Sequence, residues 1–294
     1  MIRSFTLFLS MLIINSSTLF AQEIPPDSLY LGQTPPGNIP QVFSLPVSTG
    51  SFTAERIAIS NDGKEIYYSV VRNYYPIVGD TIKYFKYSGD KWTGPFNQFN
   101  GYLSPGLSIT GDTLYFQNNI VPYQTLYSVR NGSSWSNPQR ILYNLNSAHY
   151  FQVTNKGNHF ISSISNPSLG ASDWCNLIMS GTDTSVISLG VPVSTSGDNL
   201  DFYIARDESF IITTSPAGLS VSFNKNNRRT NPKNLGSQIN FGLGMWGPFV
   251  TSDKKYLFYT TGTNPNYSDT RVHWVRIDSL IDSLMQTNFI PYIN

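Results

Sequence analysis

Residues 57–69 read Ile57-Ala58-Ile59-Ser60-Asn61-Asp62-Gly63-Lys64-Glu65-Ile66-Tyr67-Tyr68-Ser69. Two short apolar stretches flank an Asn-Asp-Gly-Lys turn. Asp bonds its own backbone in a tight turn and Gly accepts positive φ, so the stretch reads as a hairpin. The Ile and Tyr residues on either side suit strands buried between neighbours. Four variants follow: Ile109-Thr110-Gly111-Asp112-Thr113, Val153-Thr154-Asn155-Lys156-Gly157, Ile204-Ala205-Arg206-Asp207-Glu208 and Val250-Thr251-Ser252-Asp253-Lys254. Counted from Ile59, the anchors fall at 59, 109, 153, 204 and 250, in steps of 50, 44, 51 and 46. A period of about 45–50 residues is that of a four-stranded propeller blade. The expectation is an all-β propeller of five blades, with six as the alternative.

A second signal recurs half a period later. Trp92-Thr93-Gly94-Pro95 matches Trp135-Ser136-Asn137-Pro138, and Arg229-Thr230-Asn231-Pro232 matches without the Trp. Pro cannot donate to a ladder and belongs on an edge, as a blade's outermost strand is. These mark the fourth strands of blades 1, 2 and 4. Blade 5 has three strand patterns and no fourth. Ile39-Pro40-Gln41-Val42-Phe43 has the look of an outer strand, so residues 40–47 are expected to close the ring there.

Ser60-Asn61-Asp62-Gly63-Lys64-Glu65-Ile66-Tyr67-Tyr68 and Asp201-Phe202-Tyr203-Ile204-Ala205-Arg206-Asp207-Glu208 carry a family likeness. In them the chain resembles the bacterial TolB-like, WD-repeat-like β-propellers, Tricorn N-terminal-like propellers among them. That family's turn is Ser-Pro-Asp-Gly-Lys; this chain has Asn61 and Ser252 at the Pro position. The resemblance spans residues 30–278. It implies a propeller fold, in a family of accessory subunits, binding modules and enzyme domains.

Residues 1–21 have the form of a secretory signal peptide, with Arg3 ahead of an apolar run from Phe5 to Ile14 and a cleavage site after Ala21. The run is too short to span a bilayer. Residues 22–38 are a Pro-rich segment expected to lie extended on the surface. The propeller occupies 39–278, and 279–294 form a short amphipathic helix and tail, with apolar Leu280, Ile281, Leu284 and Met285. Loss of 1–21 leaves 18 basic against 18 acidic residues. A neutral chain has no electrostatic hold on nucleic acid or an anionic membrane. The lone Cys175 can form no intrachain disulfide and is expected to be buried.

Most conspicuous motifs reduce to structure. Gly242-Leu243-Gly244-Met245-Trp246-Gly247 spells G-x-G-x-x-G, but a strand follows where a nucleotide site needs a helix. Asp62, Asp112, Asp207 and Asp253 sit in successive hairpin turns. The basic run Lys225–Lys233 is a hairpin tip. No nucleophile elbow or metal-ligand spacing occurs among His149, His159 and His273, and no metal, cofactor or catalytic residue is assigned. Propeller ligands sit where innermost strands enter the channel. Counting back four from each anchor reaches Glu55, Pro105, His149, Leu200 and Trp246, with Arg56 and Asp201 adjacent. Glu55, Arg56, His149, Asp201 and Trp246 are the candidate ligand-binding set. The expected function is an exported, periplasmic or extracellular, monomeric, non-enzymatic binding or scaffold module that recognises a protein, peptide or glycan in the cell envelope. The alternative is a glycan hydrolase or lyase using Glu55 and Asp201.

Overall fold

The computed structural model describes residues 23–287, except 121, 146, 166–168, 181–182 and 200. The expected signal peptide and the final tail, 288–294, lie outside the described residues. The chain enters through a 3₁₀ turn at Pro26–Ser28, the one-turn helix α1 (Leu29–Gly32) and strand β1 (Gln41–Val42).

Blade 1 then runs β2 (Phe52–Ile59), β3 (Glu65–Val71), β4 (Thr81–Ser88) and β5 (Lys91–Asn100). Blade 2 holds β6 (Tyr102–Leu107), β7 (Thr113–Asn118), β8 (Thr125–Asn131), β9 (Ser134–Trp135) and β10 (Gln139–Arg140). Blade 3 holds β11 (His149–Val153), β12 (His159–Ser163), β13 (Asp173–Ser180) and β14 (Asp183–Ser188). Blade 4 holds β15 (Phe202–Ile204), β16 (Phe210–Ser215), β17 (Gly218–Lys225), β18 (Arg228–Arg229) and β19 (Lys233–Asn234). Blade 5 holds β20 (Gly244–Val250), β21 (Tyr256–Gly262) and β22 (Arg271–Arg276) before helix α2 (Asp278–Gln286). Each blade is an antiparallel sheet, and the whole is a five-bladed propeller.

The blade-5 sheet is completed by β1. Gln41 pairs with Trp274 and Val42 with His273, and the Phe43 N–H donates to the Val272 carbonyl at 2.8 Å. The N-terminal strand therefore closes the ring, and the six-bladed alternative falls. The outer strands of blades 2 and 4 are split in two around Asn137-Pro138 and Asn231-Pro232, where Pro interrupts the ladder.

Two expectations need correction. The second hairpin begins earlier than the Ile109 anchor: β6 ends at Leu107, and Ile109 lies in the turn. The Pro-rich segment lies on the surface but is not extended throughout, since residues 26–32 turn helically. Tyr30 packs edge-on against Trp274 at 5.3 Å and Tyr256 at 5.6 Å, and the Trp92 indole donates to the Ser28 carbonyl at 2.7 Å. Aromatic contacts fold that segment onto blades 5 and 1.

The turn acids serve as read. Asp62 Oδ1 accepts from Ser60 Oγ at 2.6 Å and from the Lys64 N–H at 3.1 Å, and Asp207 and Asp253 cap their own turns likewise. Apolar clusters fill each seam between blades. Ala58, Tyr67 and Ile82 of blade 1 meet Leu114 and Phe116 of blade 2, and Ile281 of α2 plugs the blade 4–5 seam. Cys175 is buried in the blade 2–3 seam, where burial pushes its thiol up to about 12. Among the described residues, no helix is long and apolar enough to cross a membrane.

Candidate functional site at the channel mouth

The innermost strands do not run straight to the axis. Between the pairs Ala54↔Ser69 and Ala58↔Tyr67, β2 advances four residues while β3 advances two. In blades 2, 3 and 5 the inner strand advances three against two. These are β-bulges, which re-aim side chains and recur beside functional sites. At each bulge one residue takes a left-handed backbone: Glu55 (φ 61), Ser104 (φ 56), Tyr150 (φ 57) and Gly247 (φ 57). Such a φ costs a non-glycine residue about 1–2 kcal/mol, and glycine almost nothing. In blade 5 only glycine fits, because a Cβ on Gly247 would collide with the backbone of Glu55 and Arg56.

The bulges and Asp201, just ahead of β15, build one hydrogen-bonded network with a member from every blade. Glu55 Oε1 accepts from Tyr74 Oη at 2.8 Å. Its Oε2 accepts from Ser104 Oγ at 3.4 Å and lies in close contact with Tyr150 Oη. The same Tyr150 hydroxyl is 3.0 Å from Asp201 Oδ2, which also accepts the Gly247 N–H at 2.9 Å. A phenol carries one proton and cannot donate to both carboxyls. The two carboxyls therefore share that one donor. Burial disfavours charge on both. It pushes Glu55 above the usual carboxylate range and, with the charge of Glu55 alongside, raises Asp201 well above it.

His149 stands beside this pair. One ligating atom each from Glu55, His149 and Asp201 lie within 4.8 Å of one another, and all three residues are buried. The imidazole is stacked on Tyr123 at 4.7 Å and meets Tyr150 edge-on at 4.3 Å. Burial and the nearby Arg56 charge lower its pKa to about 3, so it is neutral at physiological pH. Its Nδ1 is buried without a hydrogen-bond partner.

Glu55, His149, Asp201 and Trp246 all line one cavity of about 300 Å³ at this mouth. Arg56 does not line it. The doubled bulge of blade 1 turns this side chain down the axis, where Nε donates to the Ser104 and Pro105 carbonyls at 3.2 and 2.9 Å and Nη2 to the Phe151 carbonyl at 3.1 Å. It plugs the channel beneath the carboxylates, with its guanidinium 4.9 Å over the Tyr150 ring. Burial lowers its pKa to about 10. Trp246 packs 4.8 Å from both Tyr74 and Tyr267, forming one wall. Tyr75 and Leu243 stand exposed at the rim. Counting by repeat missed Tyr150, Ser104 and Tyr74. Tyr150 follows His149 directly, and a bulge brings both to the site. Tyr74 comes from the β3–β4 connection, away from the hairpin turns that anchor the count.

No family model matches the chain, and no curated protein matches it. Solved structures do. TolB from Acinetobacter baumannii is similar at a TM-score of 0.46 and 15% identity, over 74% of this chain and 53% of that one. This chain thus spans about half the length of that TolB. An oligogalacturonate lyase from Vibrio parahaemolyticus is similar at 0.45 and 9% identity, over 78% and 67%. A gluconolactonase from Xanthomonas campestris is similar at 0.43 and 9%, over 81% and 86%. The likeness is one of propeller fold, and no activity or ligand passes from these proteins to this chain.

Proposed function

We propose that the protein is an exported, TolB-like binding propeller that takes the end of a neutral or amine-bearing glycan in the channel-mouth cavity. One observation carries the reading: buried acids, Glu55 and Asp201, lie on the floor of an aromatic-walled cavity. Aromatic faces such as Trp246, Tyr75 and Tyr123 suit the apolar face of a sugar, and convergent polar groups fix its hydroxyls. The described lining holds Glu55, Asp198 and Asp201 and no Lys or Arg, which disfavours an anionic sugar. A non-catalytic role fits the position of Tyr150. Its hydroxyl contacts both carboxyls, so each is already engaged by the protein's own side chain. Export rests on the form of residues 1–21.

The test is a thermal-shift screen of the full chain against neutral, amino and uronic oligosaccharides. A ligand at a hundred times its Kd stabilises by about 2.7 kcal/mol. The expected result is a shift with neutral or amino sugars, lost in Trp246→Ala. A flat screen, or a shift that Trp246→Ala leaves intact, removes the reading. The second reading, a glycan hydrolase or lyase, is favoured by the Asp201 carboxyl, which burial and the charge of Glu55 hold well above its ordinary range, as a general acid requires. New reducing ends or an unsaturated, ultraviolet-absorbing product in the same mixtures would establish it.

A further inference from the structure

We infer that Glu55, His149 and Asp201 form a binding site for one divalent transition-metal ion, of the Mn²⁺ or Zn²⁺ kind. The inference concerns the cavity above but stands whether or not the ligand is a glycan. Three observations carry it. The ligating atoms come from blades 1, 3 and 4 and lie within 4.8 Å of one another. Atoms bound to one ion at about 2.1 Å lie roughly 3–4 Å apart, so a small inward turn of these side chains closes the set. His149 is buried, lines the cavity and has an Nδ1 without a hydrogen-bond partner, which is costly for a polar atom with no role.

The third observation is the support behind the two acids. Tyr74 and Tyr150 hold Glu55, and the Gly247 N–H holds Asp201 Oδ2. Metal-ligating carboxylates are themselves hydrogen-bonded in this way, which fixes their orientation. Among the described residues, no donor reaches Asp201 Oδ1. Two carboxylates balance the charge of one divalent ion. One imidazole with two carboxylates is a mixed donor set, which favours Mn²⁺ or Zn²⁺ over Mg²⁺ and Ca²⁺. Three protein ligands leave coordination positions open, and vicinal hydroxyls are one chemistry that could fill them.

The spacing of the three residues along the chain, 94 and 52 positions, hides the site from any motif. Only closure of the ring assembles it.

The test is calorimetric titration of the chelator-stripped full chain with Mn²⁺ alone, with no sugar present. Expected is one ion per chain, bound about tenfold or more tighter than Mg²⁺. Asp201→Asn and His149→Gln should each weaken it about tenfold or more, as loss of one ligand does, while Glu208→Gln, far from the site, leaves it unchanged. Electron spin-echo modulation of the bound Mn²⁺ should show one coupled nitrogen. If His149→Gln does not fold, that nitrogen signal and Asp201→Asn decide. Absence of saturable one-to-one binding, or binding that survives Asp201→Asn without a nitrogen signal, overturns the site. A chain that binds Mn²⁺ but no sugar keeps this inference and loses the glycan reading. The reverse result separates them equally.

Discussion

Asp201 accepts from the Gly247 N–H through one oxygen and stands against Tyr150 and Glu55 in a buried pocket. Its folded-state pKa is raised, first by burial and then by the charge of Glu55. The sign follows: a raised carboxyl contributes stability that is present below its unfolded pKa and lost as pH rises through the folded value. Asp201→Asn keeps an oxygen for the Gly247 N–H and removes the charge. Without metal at neutral pH the variant should melt a few degrees higher, the response to about 1 kcal/mol in a chain of this size. The gain should vanish in acid below the unfolded carboxylate pKa, where the wild-type side chain is neutral in both states. Thermal melts across pH in chelator check it; a variant that melts lower at pH 7 refutes the buried-charge account. Gly247→Ala should fail the other way, by about 2 kcal/mol or more. It forces a left-handed φ on alanine and drives a Cβ into the Arg56 backbone. Urea denaturation measures that loss.

At the scale of the element, the decisive feature is the bulge in each inner strand. The hairpin turns are local, written in four or five adjacent residues, and so the blades could be counted from the chain. The bulges are not local. They appear only where two strands are paired, as between Trp246↔Thr260 and Phe249↔Phe258, and nothing in Trp246-Gly247-Pro248 marks their size. Counting from the turns therefore reaches His149 and Trp246 but misses Tyr150 and Ser104. It also sets Arg56 beside Glu55, whereas the doubled bulge of blade 1 sends the two apart. The closing strand was legible because blade 5 lacked a partner and Pro40 marks an edge. Phe43, just past that strand, is buried against Phe258 and Trp274 at 5.2 and 5.1 Å. Phe43→Ala should cost about 3 kcal/mol, the usual loss for a buried ring. In urea the midpoint should fall with the slope unchanged; a shallower slope would mean that blade 5 opens separately from the ring.

Across the whole molecule, a belt of polar contacts joins neighbouring blades on the side of the turns. Glu65 of blade 1 accepts both ends of the Arg130 guanidinium of blade 2, at 3.0 and 2.5 Å. Glu208 of blade 4 reaches blade 3, where Thr154 Oγ1, Asn158 Nδ2 and Lys156 Nζ donate to it at 2.6, 2.8 and 3.2 Å. Lys254 of blade 5 pairs with Asp207 of blade 4. In the sequence these are hairpin residues like any others, because their partners lie a blade away. Burial alone would raise the Glu208 carboxyl, but the three donors outweigh it and hold the pKa below the ordinary 4.5. A depressed carboxyl gives stability that is present above the unfolded pKa and lost as pH falls through the folded one. The wild-type chain should therefore lose stability from about pH 5 downward as Glu208 protonates. Glu208→Gln removes this titration. It should be less stable than wild type at pH 7, because an amide cannot match a carboxylate that accepts three bonds, one of them from a lysine. The difference between the two should shrink steadily in acid and close once pH falls below the depressed folded-state value. Opposite to this runs the Glu55–Asp201 pair, whose contribution grows as pH falls, so the two effects separate only in the variants. Melting curves of wild type, Glu208→Gln and Asp201→Asn from pH 3 to 8 resolve them. A Glu208→Gln offset that stays constant with pH would show that this side chain acts by packing and that its charge does not hold blades 3 and 4 together.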